Sequence, residues 1–162
     1  PQQHCSVRRQ RQMCIRDGNT GDKFCSSPNT SREGLIDGNI YVRGSVGSNS
    51  IQRMRRGIIV IEKNIGDNCC SNLISGTIIV KGKIGDNFLE NSKRGTIFGS
   101  DKKVVKGYRK ANDANYNFIP FMGKLLELIY DRKVLKGSSF LRYQGCLANS
   151  TNLTEIFLTR KN

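Results

Sequence analysis

Aliphatic residues recur through the middle of this chain at a fixed spacing. Ile40 and Val42, Ile59 and Ile61, and Ile78 and Val80 stand two and four residues after Gly38, Gly57 and Gly76. Spacing of two places side chains on one face of an extended chain, so each copy predicts a short β-strand. The three leading glycines, with Gly95 as a fourth, are nineteen residues apart. Further apolar positions repeat at Val46, Ile65 and Ile84, and at Met54 and Leu73, where the third copy has Ser92. A constant period of this length is the mark of repeats that stack on their neighbours. Stacking sets equivalent positions above one another as aliphatic ladders filling an interior. The predicted fold class is therefore all-β: a right-handed parallel β-helix of ~19-residue coils, with a C-terminal helix and short strands. Short strands at even spacing also build hairpin meanders, but a meander has no use for so exact a period.

The polar positions punctuate this pattern. Gly47, Gly66 and Gly85 close the strand phrase, and Asp67 and Asp86 follow two of them. Glycine suits positive φ and close backbone approach, and Asp bonds to local backbone in turns. On the outward strand face, Arg43, Glu62 and Lys81 are polar, but Tyr41, Val60, Ile79 and Phe98 form an apolar stripe. Such a stripe predicts a cover. The chain's own C-terminal segment and a partner subunit are both open as that cover.

Four segments follow. Residues 1–17 lack the repeat, and their Arg-Gln-Arg-Gln-Met-Cys-Ile-Arg-Asp core resembles a translated sequencing adaptor. They are taken as a non-native leader, with a genuine basic arm as the alternative. Residues 18–99 are the coils, the first of them atypical: Gly21-Asp22 precedes Gly47 by one period plus seven residues, which predicts a loop around Ser27-Pro28-Asn29. Residues 100–117 are polar and basic and are read as a linker. Residues 118–162 are a helix and strand cap. Phe121, Leu125, Leu128 and Ile129 share one face of a helix over Phe118–Lys133, with Pro120 near its start. Phe140–Tyr143 and Glu155–Leu158 read as strands.

Composition adds a strong positive charge, formally +14, from 27 Lys and Arg against 13 Asp and Glu. Arg8, Arg9, Arg11 and Arg16 against Asp17 give the leader +3, leaving +11 for the remainder. That balance attracts anions: an acidic carrier, an acidic partner or nucleic acid. A nucleic-acid module would interleave its aromatics with basic residues as stacking platforms, and this chain does not. No apolar run is long enough to cross a bilayer, and no secretory signal is visible. Cys25, Cys69, Cys70 and Cys146 contain no CxxC pair and are read as small apolar fillers in a reducing, cytoplasmic setting. The single His, His4, lies in the leader. Asn29, Asn149 and Asn152 open N-x-S/T triplets, read as chance in an Asn-rich chain.

The repeat and tail together carry a resemblance. The phrases Met54-Arg-Arg-Gly57-Ile-Ile-Val, Gly66-Asp67, Gly76-Thr-Ile-Ile-Val-Lys-Gly82-Lys-Ile-Gly85 and Lys93-Arg-Gly95-Thr-Ile are joined by Ile119-Pro-Phe-Met, Phe140-Leu-Arg-Tyr-Gln-Gly145-Cys-Leu-Ala and Thr154-Glu155-Ile. Over residues 18–159 the chain resembles the C subunit of formylmethanofuran dehydrogenase and of the related formyltransferase/hydrolase complex. The family usually has more coils, so the chain reads as an N-terminally truncated member. Lys63, Ser50, Cys69 and Phe88 stand where the repeat commonly carries Gly, and Cys146 where the family tends to have Asp.

No catalytic residue and no metal ligand set is assigned, because catalysis needs convergent polar groups and the aspartates form a column of turn residues. The resemblance implies a non-catalytic, structural subunit in one-carbon metabolism, in the setting of methanogenesis or methylotrophy. It implies partner subunits that hold the formyl chemistry, using methanofuran or methylofuran with molybdopterin, tungstopterin or zinc. These furan carriers bear glutamyl groups, which makes Arg53, Arg55, Arg56, Lys81, Lys83, Lys93 and Arg94 candidates for holding an acidic carrier, each against the alternative of a solvated basic surface. A β-helical domain of a glutamate-synthase-like amidotransferase is the second reading, and a basic nucleic-acid-binding module the third.

Overall fold

The computed structural model describes residues 13–27, 33–100, 105–111, 116–135, 139–145 and 152–159. The strands predicted after each leading glycine are present: β2 (Asn39–Val42), β3 (Ile58–Ile61), β4 (Thr77–Val80) and β5 (Arg94–Gly99). They pair in parallel and in the predicted register, Ile40 beside Ile59, Ile59 beside Ile78, and Ile78 beside Ile97. A further strand, β1 (Met13–Arg16), lies parallel to β2 with Cys14 beside Ile40, so part of the segment read as a leader sits against the first repeat. The remaining strands are β6 (Tyr108–Lys110), β7 (Phe140–Gly145) and β8 (Leu153–Thr159). Together they make one open mixed sheet in the order β1-β2-β3-β4-β5-β8-β7-β6. β6 lies within 100–117, so the segment read as a linker contributes a strand.

Neighbouring repeats are bonded in more than one place. Beyond the strands, Thr20, Val46, Ile65 and Ile84 form successive parallel bridges. In the turns that follow, Asn68 N–H donates to Asp86 O at 2.8 Å, Cys70 N–H to Ser50 O at 2.9 Å and Leu89 N–H to Cys69 O at 3.1 Å. The first repeat is offset by 26 residues instead of 19: Ser48 N–H meets Asp22 Oδ1 at 2.7 Å across 26 positions, whereas Asp86 N–H meets Asp67 Oδ1 at 2.7 Å across 19. The extra-residue loop predicted around Ser27-Pro28-Asn29 lies largely outside the described residues. The aspartates thus accept amide protons from the next repeat, which satisfies backbone donors that the turns would otherwise leave open.

The backbone conformation of those turns was not predicted. Each repeat holds three non-glycine residues at positive φ: Asn49, Ile51 and Arg53, then Asn68, Cys70 and Asn72, then Asn87, Leu89 and Asn91. Asn tolerates this left-handed region, but β-branched Ile51, at φ 58°, does not take it freely. Ile51 is fully buried, and that burial offsets a strain of about 1–3 kcal/mol.

Two apolar layers result. Ile40, Val42, Val46, Met54, Ile59, Ile61, Ile65, Leu73, Ile78 and Val80 fill the interior ladder. Its polar break is explained. Ser92 lies 2.6 Å from the Tyr108 hydroxyl, accepts from Thr154 Oγ1 at 3.1 Å, and is buried with both. The opposite face of the sheet carries the predicted stripe of Tyr41, Val60, Ile79 and Phe98, joined by Phe157. Its cover is the chain's own helix α1 (Phe118–Tyr130), with Val134 and Phe140. The face that the helix turns to the sheet is not the one shared by Phe121, Leu125, Leu128 and Ile129. Ile119, Leu126 and Tyr130 are buried, whereas Phe121, Leu125 and Leu128 are exposed and Ile129 is half-buried. The helix is apolar on two adjoining faces, and spacing alone could not say which one the sheet takes.

Candidate interaction surface

The basic residues singled out from sequence fall into two groups at opposite ends of the strands. Arg55, Arg56, Lys93 and Arg94 are exposed where the chain enters β3 and β5, and half-buried Arg53 precedes them in its turn. Lys81 and Lys83 lie beyond the far end of β4. A four-residue strand spans roughly 13 Å, so no single small anion bridges both groups. Arg55 is paired with Glu33. Lys81 stands 3.7 Å from Glu62 and 5.9 Å from the centre of the Tyr41 ring. A salt bridge as exposed as these contributes only about 0–1 kcal/mol.

Lys81 belongs to a mixed cluster that sequence reasoning missed. Tyr41, Tyr130 and Arg132 meet it where the end of α1 reaches the sheet. The Tyr41 and Tyr130 rings are 5.3 Å apart, the Arg132 guanidinium sits 5.8 Å from the Tyr41 ring centre, and the Tyr41 hydroxyl donates to Glu62. Burial, and then that bond to a carboxylate, push the Tyr41 phenol up to about 12. Tyr130 donates to Ile58 O at 3.2 Å, and burial raises its phenol too. These groups remain protonated near neutrality and act as anchors for the helix. Glu62 and Lys81 stand one period apart, but no spacing rule joins them to Tyr41 and Arg132 before the repeats are stacked.

The Cys69 and Cys70 thiols are inert by environment. Burial raises Cys69 to about 11 and Cys70 well above the ordinary thiol range. An acid raised in the folded state stabilises the fold below its unfolded value near 9, and this contribution is lost as pH rises toward about 11. Stability is therefore expected to fall between pH 9 and 11, less so in Cys69→Ala, as read by urea denaturation across that range. At pH 8, iodoacetamide followed by peptide mapping should label exposed Cys14 and spare Cys69 and Cys70. Among the described residues no group of three or more His, Cys, Asp or Glu could hold a metal ion. None of their helices is long and apolar enough to cross a membrane.

The exposed side of α1 is the second feature. Phe118, Phe121, Leu125 and Leu128 follow one another at the three- and four-residue spacing of a helix seam, and Phe121 and Leu128 are 69% and 84% exposed. Pro120, Lys124 and Glu127 border that seam and are also exposed.

Stacked repeats with recurring glycines have a recognisable counterpart. Residues 19–116 match the GXGXG motif family. The chain belongs to the GXGXG motif family. Among solved structures, this GXGXG protein is similar to a chain in the X-ray crystal structure of the formyltransferase/hydrolase complex (FhcABCD) from Methylorubrum extorquens in complex with methylofuran. The TM-score is 0.78 at 24% identity, over 92% of this chain and 56% of that one, which is a likeness of fold. The GXGXG protein thus spans a little over half the length of its structural relative. No curated protein matches it.

Proposed function

We infer that this chain is a non-catalytic, structural component of a one-carbon enzyme complex, equivalent to the C subunit of a formyltransferase/hydrolase complex or of formylmethanofuran dehydrogenase. The observation that carries this reading is the fold shared with a chain of the former complex over 92% of the residues here. That extent is more than the repeats can supply, so the likeness reaches into the C-terminal segment as well. A spacer domain of an amidotransferase would account for the repeats alone. In this reading the stacked repeats are a right-handed parallel β-helix, since a crossover between parallel strands almost always turns that way. Each repeat is then one coil, and the ladder bonds make the wall stiff.

A stiff, chemically quiet wall suits positioning. Partner subunits would supply the metal and formyl chemistry, in the cytoplasm, on a furan carrier such as methanofuran or methylofuran. The entry-side residues Arg55, Arg56, Lys93 and Arg94 would offer an acidic carrier or partner a positive field, acting collectively because single exposed pairs contribute little.

The test is purification of the tagged native protein from its source at endogenous level. Stoichiometric recovery of subunits with formyl-transfer or formyl-hydrolysis activity is expected, with no turnover by this polypeptide alone. Recovery as a free monomer would overturn the reading. So would recovery with nucleic acid whose binding weakens steeply with salt.

A further inference from the structure

We propose that the open seam of α1, together with the basic strand-entry edge beside it, is the docking face for a different polypeptide, one that presents an apolar stripe bordered by acidic residues. The helix is apolar over far more of its circumference than the sheet covers. Ile119, Leu126 and Tyr130 anchor it inward and Phe118 rests partly on Phe157, so Phe121, Leu125 and Leu128 are not needed for the fold as described. An exposed apolar row on a surface helix, left over after the core-facing row is buried, marks a surface for another chain.

Charge selects the occupant. The C-terminal end of α1 reaches the strand-entry side, where Tyr130 donates to Ile58 O, two residues after exposed Arg56. Arg56, Lys93 and Arg94 line that edge, and Lys124 borders the seam with Glu127. The surrounding field is positive on a chain of formal charge +14. A second copy would bring the same field against itself and is repelled, while an acidic rim is attracted and steered. Area argues the same way. Four side chains on a 13-residue helix cannot supply the roughly 800 Å² per partner that a stable interface needs, so the occupant must extend beyond the seam, and the exposed basic edge favours an acidic one.

This deepens the structural-subunit reading by naming the face that docks, and two sets of variants separate the two. A photo-crosslinking residue is placed at Leu128, at Phe121 and, as a control, at Lys83 in the tagged full chain expressed in its source. Adducts from the two helix positions to one peptide, bearing acidic residues beside apolar ones, are the expected result. In parallel, Phe121→Ser with Leu128→Ser should reduce partner recovery by about tenfold or more, as loss of central apolar anchors does. The melting temperature should stay unchanged, because both side chains are exposed. Lys93→Glu with Arg94→Glu should weaken recovery severalfold and flatten its salt dependence.

Adducts only between copies of this chain, only within one chain, or from Lys83 and not the helix would overturn the docking face. Absence of any helix adduct would do so as well. If the double serine variant recovers formyl-transfer subunits as well as wild type, the structural reading stands and this face does not. If the helix captures an acidic polypeptide outside any formyl-transfer complex, the face stands and that reading falls.

Discussion

Gly85→Ala is expected to disrupt the middle of the stack, costing about 3 kcal/mol or more, because two of the three atoms it would strike are backbone, which cannot swing aside as a side chain can. A Cβ at this position would fall 2.5 Å from Gly66 C, Gly66 O and Asp67 Oδ1. The first two are backbone of the preceding repeat. The third accepts the Asp86 amide proton at 2.7 Å, so the intruding methyl also breaks the bond that closes the turn. Gly85 N–H itself donates to Ile65 O at 3.0 Å, which prevents the repeat from moving away without losing a further bond. For a chain of this size that cost lowers the melting temperature by roughly 6–12 °C. Gly123→Ala is the opposing control. Nothing lies within 4 Å of a Cβ there and the residue is inside α1, so alanine should stabilise by about 0.5–1 kcal/mol. Thermal and urea denaturation of both variants would check the pair. Equal stability of Gly85→Ala and wild type would mean that adjacent repeats are not in backbone contact at this corner.

The contrast between those glycines shows what the sequence could and could not convey. Period and strand face were legible because equivalent residues repeat: Ile59, Ile78 and Ile97 are the same choice made three times, and they stand in register. The cover over Tyr41, Val60, Ile79 and Phe98 was legible as a need but not as an answer, since a partner and the chain's own tail leave the same apolar stripe. The sheet-facing side of α1 was not legible because two apolar rows compete within one helix. The row with the stronger seam spacing is the one left open, and the sheet selected Ile119, Leu126 and Tyr130 by contacts far away in sequence. Positive φ at Ile51 and Leu89 runs against residue preference, so it can be imposed only by stacking and leaves no local signature. Ser92 showed only as a gap in a ladder, because Tyr108 and Thr154, which satisfy it, lie 16 and 62 positions away. The basic candidates were legible by type. Their division between two strand ends is a property of the repeat geometry, and it argues against a single carrier site made from all of them.

Phe157→Ala is expected to have the other large effect, and to act on the helix layer before the repeats. Phe157 is fully buried on β8 and is paired with Phe98 of β5. Its ring stacks on Phe98 at 5.3 Å and takes edge-on contacts from Tyr116 at 5.3 Å and Phe118 at 5.5 Å. Removing it leaves a cavity where the start of α1 meets the sheet. Large-to-small changes at such aromatic sites cost about 3–5 kcal/mol, with ring–ring geometry part of the loss. The melting temperature should fall by roughly 6–20 °C, and Phe157→Leu should recover much of it by refilling the space. The interior ladder of Ile59, Ile78 and Ile97 lies on the opposite face of the sheet and keeps its contacts. Hydrogen exchange should therefore speed up in α1 more than in β3 and β4. Leu128→Ala, on the open side of the same helix, should leave both stability and exchange unchanged. If exchange in β3 and β4 accelerated as much as in α1, the two apolar layers would be one cooperative unit. The helix would then be part of the wall itself, and not a separate layer that carries a docking seam.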